Sequence, residues 1–169
     1  KVVQFKRKVC YILNISTGVA AEFFVEDRHR WKGIANKNHY CKTESGLFWF
    51  NELGAYSYDG DSIEDLFIRG EENSQKLIDT DIWTSFISDN SMCGYNPISQ
   101  EAIIVKSHTH SAGSDGDIYV YSFITKSWVR GNKKLYSTFN ITNFDNAGSN
   151  GDLSWITNNA PPQDSITIT

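Results

Sequence analysis

Asp117-Ile-Tyr-Val-Tyr-Ser-Phe-Ile-Thr-Lys-Ser-Trp-Val-Arg-Gly131 reads as a strand, a polar turn and a second strand that opens on tryptophan. Ala21-Glu-Phe-Phe-Val-Glu-Asp-Arg-His-Arg-Trp-Lys-Gly33, earlier in the chain, has the same order. In both, alternating apolar residues run into a charged or polar turn, followed by Trp31 or Trp128, a basic residue and Gly33 or Gly131. Two hairpins of one design predict a repeat architecture.

Working outward, period-two alternation and turn residues divide the chain into β units. Residues 1–38 form the first, with strands expected at Val2–Phe5, Val9–Leu13, Ala20–Val25 and, briefly, at Trp31. Residues 39–90 form the second. It runs through His39–Lys42, Leu47-Phe-Trp-Phe50 and Ala55–Tyr58, with a turn at Asn51-Glu-Leu-Gly54 and a tight Asp59-Gly60 turn. Leu77, Ile78, Ile82, Trp83, Phe86 and Ile87 then make an apolar stripe at helical spacing, which predicts one helix near residues 79–89. Asp79 or Asp81 is suited to cap it, and packing against the scaffold is favoured over an exposed partner-binding helix. Residues 91–135 form a third unit, with strands at Met92–Tyr95, Ala102–Val105 and Ile118–Phe123 and a last one opening at Trp128. Residues 136–169 open a further unit at Tyr136–Phe144 and Asp152–Ile156 and carry a linker-like Ala160-Pro-Pro-Gln-Asp164. The expected class is all-β: a β-propeller-like repeat of antiparallel, mostly four-stranded units with one short helix, or alternatively a β-sandwich.

A chain of 169 residues is long enough for one domain with a sizeable core. It begins at Lys1 and stops within an apparent strand, Ser165-Ile-Thr-Ile-Thr169, so it is expected to be a piece of a larger protein. No stretch approaches the roughly 18 to 20 apolar residues of a membrane helix. A net charge of −4 argues weakly against nucleic acid as the main partner. The three cysteines, Cys10, Cys41 and Cys93, are widely spaced without a C-x-x-C pair and read as reduced thiols in strands.

The third unit carries a resemblance. Ser91-Met-Cys-Gly-Tyr-Asn-Pro-Ile-Ser-Gln-Glu-Ala-Ile-Ile-Val105, Gly116-Asp-Ile-Tyr-Val-Tyr121 and Ser127-Trp-Val-Arg-Gly131 resemble virion structural proteins of tailed bacteriophages. Gly46-Leu-Phe-Trp-Phe-Asn51, Gly54-Ala-Tyr-Ser-Tyr-Asp-Gly60 and Asp81-Ile-Trp-Thr-Ser-Phe86 look like parts of the same pattern. The likeness covers roughly residues 20 to 157, and its motifs also serve other propellers. It implies a non-enzymatic component of the tail, of the nozzle or tube type, in a virion assembled in the host cytoplasm; a receptor- or glycan-binding propeller module is the alternative reading, and a propeller glycosidase a distant third. Implied partners are other tail proteins and copies of itself, with DNA passing through a channel without specific binding and no membrane. No catalytic residues, cofactor or metal come with the resemblance.

Several residues invite a sharper reading. His108 and His110, with Asp115 and Asp117, have the chemistry of a zinc or nickel site, against a solvated hairpin loop as the simpler expectation. Asp59, Asp61, Glu64 and Asp65 concentrate hard oxygen ligands suited to Ca²⁺, but without EF-hand spacing, and an acidic turn is favoured. Asp145 to Asp152 is a weaker version. A glycosidase pair drawn from Asp59, Asp61, Glu64 and Asp117 is selected by no spacing, and no G-x-S-x-G elbow is present. Lys126, Arg130, Lys133 and Lys134 around Trp128 suit phosphates or bases, but fit a solvent face better. Trp31 and Trp128 are expected to pack between neighbouring sheets, with a sugar-stacking platform as the rival. The expected structural core is Trp31, Trp128, Phe24, Tyr119, Tyr121 and Trp49.

Overall fold

Stacked antiparallel sheets make up most of the protein. The computed structural model describes residues 1–69, 75–106 and 116–134, together with strands at 138–142, 152–156 and 166–168. The fold is all-β, with a single α-helix among the described residues.

The first sheet is β1 (Val2–Lys6), β2 (Val9–Asn14) and β3 (Phe24–Arg30), in that order. The second is a meander of β4 (Tyr40–Thr43), β5 (Gly46–Asn51), β6 (Gly54–Tyr58) and β7 (Ile63–Asp65). A two-stranded ribbon, β8 (Ile68–Arg69) with β9 (Gln75–Lys76), leads to α1 (Thr80–Phe86). The third sheet is a second meander: β10 (Met92–Asn96), β11 (Glu101–Val105), β12 (Gly116–Ser122) and β13 (Ser127–Lys134). A last sheet joins β14 (Thr138–Thr142) to β15 (Asp152–Ile156) antiparallel and to β16 (Ile166–Ile168) parallel.

Side-chain alternation explains the stacking. In β5 and β6, Trp49, Tyr56 and Tyr58 point one way and meet Cys10 and Ile12 of the first sheet. Phe48, Phe50 and Ala55 point the other way, into a cluster with Tyr95, Ile104 and Tyr119 of the third. The near-continuous apolar run Leu47-Phe-Trp-Phe50 follows from this, because a strand covered on both faces has no solvent side to mark with polar residues. The opening strands lie side by side, β4 next to β10 and β10 next to β14.

Helix α1 closes the end of the stack between the second and third sheets. Asp79 caps it, its carboxylate accepting from the backbone N–H groups of Asp81 (2.9 Å) and Ile82 (3.1 Å). Trp83 and Phe86 are buried, whereas Ile82 of the expected stripe faces outward. Phe67, Tyr119 and Trp128 pack edge-on around Trp83, with ring centroids 4.7, 5.3 and 5.7 Å away. Such edge-to-face contacts add about 0.5–1.5 kcal/mol each beyond the area they bury.

The first unit differs from expectation. It has three strands, Ala20–Glu22 is a 3-10 turn, and Ala21–Gly33 does not fold as a hairpin. Instead β3 runs straight through Glu26, Asp27 and Arg28, because β2 pairs with it along its length: Ile12 with Asp27, Tyr11 with Arg28 and Cys10 with His29. Charged side chains on an edge strand are readily solvated and do not force a turn. Two core assignments fall with the hairpin: Phe24 and Trp31 are exposed, at 56% and 58%. Trp49, Tyr119 and Tyr121 are buried, and Trp128 is half-buried against the same cluster.

Replacing Trp83 with Ala is expected to lower unfolding stability by about 3–5 kcal/mol, the cost of an unfilled aromatic cavity. Trp83→Phe keeps most of the volume but removes the indole N–H bond to the Asn51 carbonyl (2.8 Å), at a cost of roughly 1–3 kcal/mol. Urea denaturation of both variants checks the order.

Candidate functional site

A cavity of about 150 Å³ opens where the first sheet, the second sheet and the end of α1 meet. Its rim is built from the β1–β2 turn (Arg7, Lys8), the residue after β3 (Trp31), the β5–β6 turn (Glu52) and the segment after α1 (Asp89). His39 lies in its wall.

Asn51 fixes this geometry. Its side-chain oxygen accepts from the backbone N–H groups of Leu53 (2.8 Å) and Gly54 (3.2 Å), closing the β5–β6 turn. Its amide nitrogen donates to the carbonyls of Trp31 and Gly33, both at 2.9 Å, across to the first sheet. Both donor hydrogens and both acceptor sites are thereby used. The Trp31 N–H in turn donates to the Lys8 carbonyl at 2.6 Å. Held at both ends, Trp31 adopts φ = 69°, a left-handed conformation unusual for a bulky residue. Gly33 is required by close approach, since a Cβ there would lie 2.0 Å from the Lys6 carbonyl oxygen.

The electrostatics are mixed. Arg7 and Lys8 make no ion pair among the described residues, and the Lys8 ammonium sits 5.5 Å above the Trp31 ring. Glu52 and Asp89 add two acidic residues to the lining. His39 is 1% exposed, stacks on Phe50 at 4.6 Å, and neither ring nitrogen has a partner at hydrogen-bonding geometry. Burial holds its pKa below the ordinary value, opposed by the nearby Ser88 carbonyl and by Asp89.

The residues singled out in the sequence fall elsewhere. His108, His110 and Asp115 lie outside the described residues, as does the loop from Asp145; of Asp117 only the backbone, in β12, is described. Asp59 forms a turn, accepting from the N–H groups of Asp61 (2.8 Å) and Ser62 (2.9 Å). Those bonds, led by the one from Ser62, hold its carboxyl below the usual range. Glu64 pairs loosely with Lys126 at 3.4 Å, and Asp65 accepts from Phe67 N–H at 3.0 Å. Among the described residues no three acids, histidines or cysteines converge on a point suited to a metal ion. Arg130 lies over the Tyr119 ring at 5.7 Å, so this part of the basic group is engaged with the core. The cysteines are free and buried. Burial pushes the Cys10 thiol up to about 12; the Cys93 thiol is also raised, by burial and then by contact with Cys41. Among the described residues no helix is long and apolar enough to cross a membrane.

No protein-family model and no curated protein matches the chain. The cavity residues were not marked by the sequence as a group. Only Trp31 stood out, and its neighbours come from turns that are distant along the chain.

Asn51→Ala is expected to cost roughly 2–4 kcal/mol, since it removes several buried bonds at once and orphans their partners; thermal and urea unfolding check this. His39 supplies a pH test. A depressed folded-state pKa gives stability that is present above the unfolded value of 6.5 and is lost as pH falls from there through the folded value. His39→Phe keeps the stack on Phe50 and should flatten that part of the stability profile relative to the wild type. Identical slopes for the two proteins would refute the assignment.

Proposed function

We propose that this chain is a structural subunit of a tailed-bacteriophage virion, a tail component of the nozzle or tube type that works by protein–protein assembly and not by catalysis. In this reading its sheets are blades of a propeller-like ring. The opening strands β4, β10 and β14 lie side by side, as the inner strands of neighbouring blades would.

The observation that carries the proposal is the uncovered face of the first sheet. The second sheet buries both faces against neighbours, whereas among the described residues the first is covered only on the side bearing Cys10 and Ile12. Its other side aligns Val2, Leu13 and Val25 across three strands, with Val2 41% and Val25 53% exposed. Tyr11 sits in the next row, with Lys6 and Arg28 over its ring at 5.7 and 5.8 Å. An apolar strip rimmed by cations on a sheet that stacks on its opposite side is suited to a further sheet. Its occupant in this proposal is another copy of the chain or an adjoining tail protein, and DNA in the channel would pass without specific contact.

Cryo-electron microscopy of particles is the direct test, with the chain expected as symmetric copies packed through sheet faces below the portal. Its absence from particles would overturn the proposal. In solution, Val25→Lys and Leu13→Lys should each shift the assembly towards monomer in sedimentation velocity, whereas Val129→Lys, also an exposed valine, should not. Equal effects from all three would argue against the first sheet as the interface.

A further inference from the structure

The cavity beside Trp31 holds side chains that sheet stacking does not use. Its four charged residues, Arg7, Lys8, Glu52 and Asp89, form no salt bridge with one another or with other described residues. Trp31 is held in a left-handed backbone by two hydrogen bonds, yet most of its surface is open. Backbone strain of this kind persists only where the surroundings over-determine it. Core packing does not account for it here, because the ring is not in the core. His39 closes the wall with two unused ring nitrogens, itself costly to bury.

We propose that this cavity binds an acidic sugar residue, a pyranose ring bearing one carboxylate. Arg7 and Lys8 receive the carboxylate, Trp31 takes the apolar face of the ring, and Glu52 and Asp89 accept from its hydroxyls.

Size and charge decide against the other small guests. About 150 Å³ is well below the roughly 300–1,000 Å³ of pockets that hold drug-sized molecules, which limits the guest to a single ring. A phosphate or nucleotide brings more than one negative charge against Glu52 and Asp89. A divalent cation meets Arg7 and Lys8. A neutral sugar uses the indole and the acids but leaves both cations idle. One negative charge, several hydroxyl donors and an apolar ring face use every wall. Charge-assisted hydrogen bonds supply the selectivity and the aromatic face supplies orientation. The site is independent of the assembly face, since it is lined by turns at the sheet ends and the segment after α1.

Calorimetric titration of the purified chain with galacturonate, set beside its methyl ester and neutral galactose, tests the proposal. The ester keeps the ring and loses the charge. Saturable binding of the acid is expected, about tenfold weaker or more for the ester and the neutral sugar, and weakened by added salt. Arg7→Ala should lower affinity about tenfold. Trp31→Gly, in which glycine accepts the left-handed backbone without strain, should lower it roughly fivefold or more. Both side chains are exposed, so circular dichroism and melting temperature should show folded variants. No saturable binding by the folded wild type, equal affinity for acid and ester, or full affinity in a folded Trp31→Gly would each overturn the proposal. Retention of binding by Val25→Lys monomers is expected, which keeps this result separate from the test of assembly.

Discussion

Asn51 is the residue on which three parts of the structure converge. Its side chain bonds twice within its own turn and twice to the loop that leaves the first sheet, and its backbone carbonyl accepts the indole N–H of Trp83. One residue at a strand end therefore joins two sheets and a helix. A buried amide is costly unless all its valences are met, and once they are met the same cost enforces a single arrangement. The relation of the first sheet to the second, the position of α1 and the walls of the cavity all follow from this constraint.

The apolar pattern then fills the frame. β5 and β6 project aromatic residues to both sides, so the second sheet acts as the centre of a stack and not as half of a two-layer sandwich. Two of the tryptophans, Trp49 and Trp83, sit where neighbouring elements meet, and both are fully buried. By contrast, the first sheet spends its apolar residues on both faces although only one is covered. That imbalance is the physical content of the assembly proposal, as burial of an apolar strip is favourable whether the covering sheet belongs to the same chain or to another.

Local signals were readable in the sequence, and long-range ones were not. The Asp79 cap, the Trp83–Phe86 face of the helix, the Asp59-Gly60 turn and the Ser127–Trp128 strand opening depend on neighbours a few residues away, and each shows in the residues themselves. Trp31 and Trp128 sit in nearly the same local pattern and meet different fates. Register with β2 keeps the Glu26–Arg28 stretch extended, while the same place near Thr125-Lys126 turns; that choice is made by a partner strand, not by the stretch. Asn51 was legible as a turn residue but not as a bracket, because its partners at Trp31 and Gly33 lie in another sheet. His39 looked like the start of a strand. Its lack of a partner is a property of what surrounds it, and no spacing announces it.

The indole N–H bonds also have a direction. Trp49 donates to the Lys32 carbonyl, Trp83 to Asn51 and Trp128 to Leu66, each at 2.8–2.9 Å. In every case the donor comes later in the chain than its acceptor. Each newly added layer thus finds its docking point on backbone that was made before it, and no earlier layer waits on a later tryptophan for its own ladder. A chain emerging from its N-terminal end therefore meets each of these three acceptors already made when its tryptophan arrives, although the Phe48–Phe50 face of the second sheet still waits for the third to cover it.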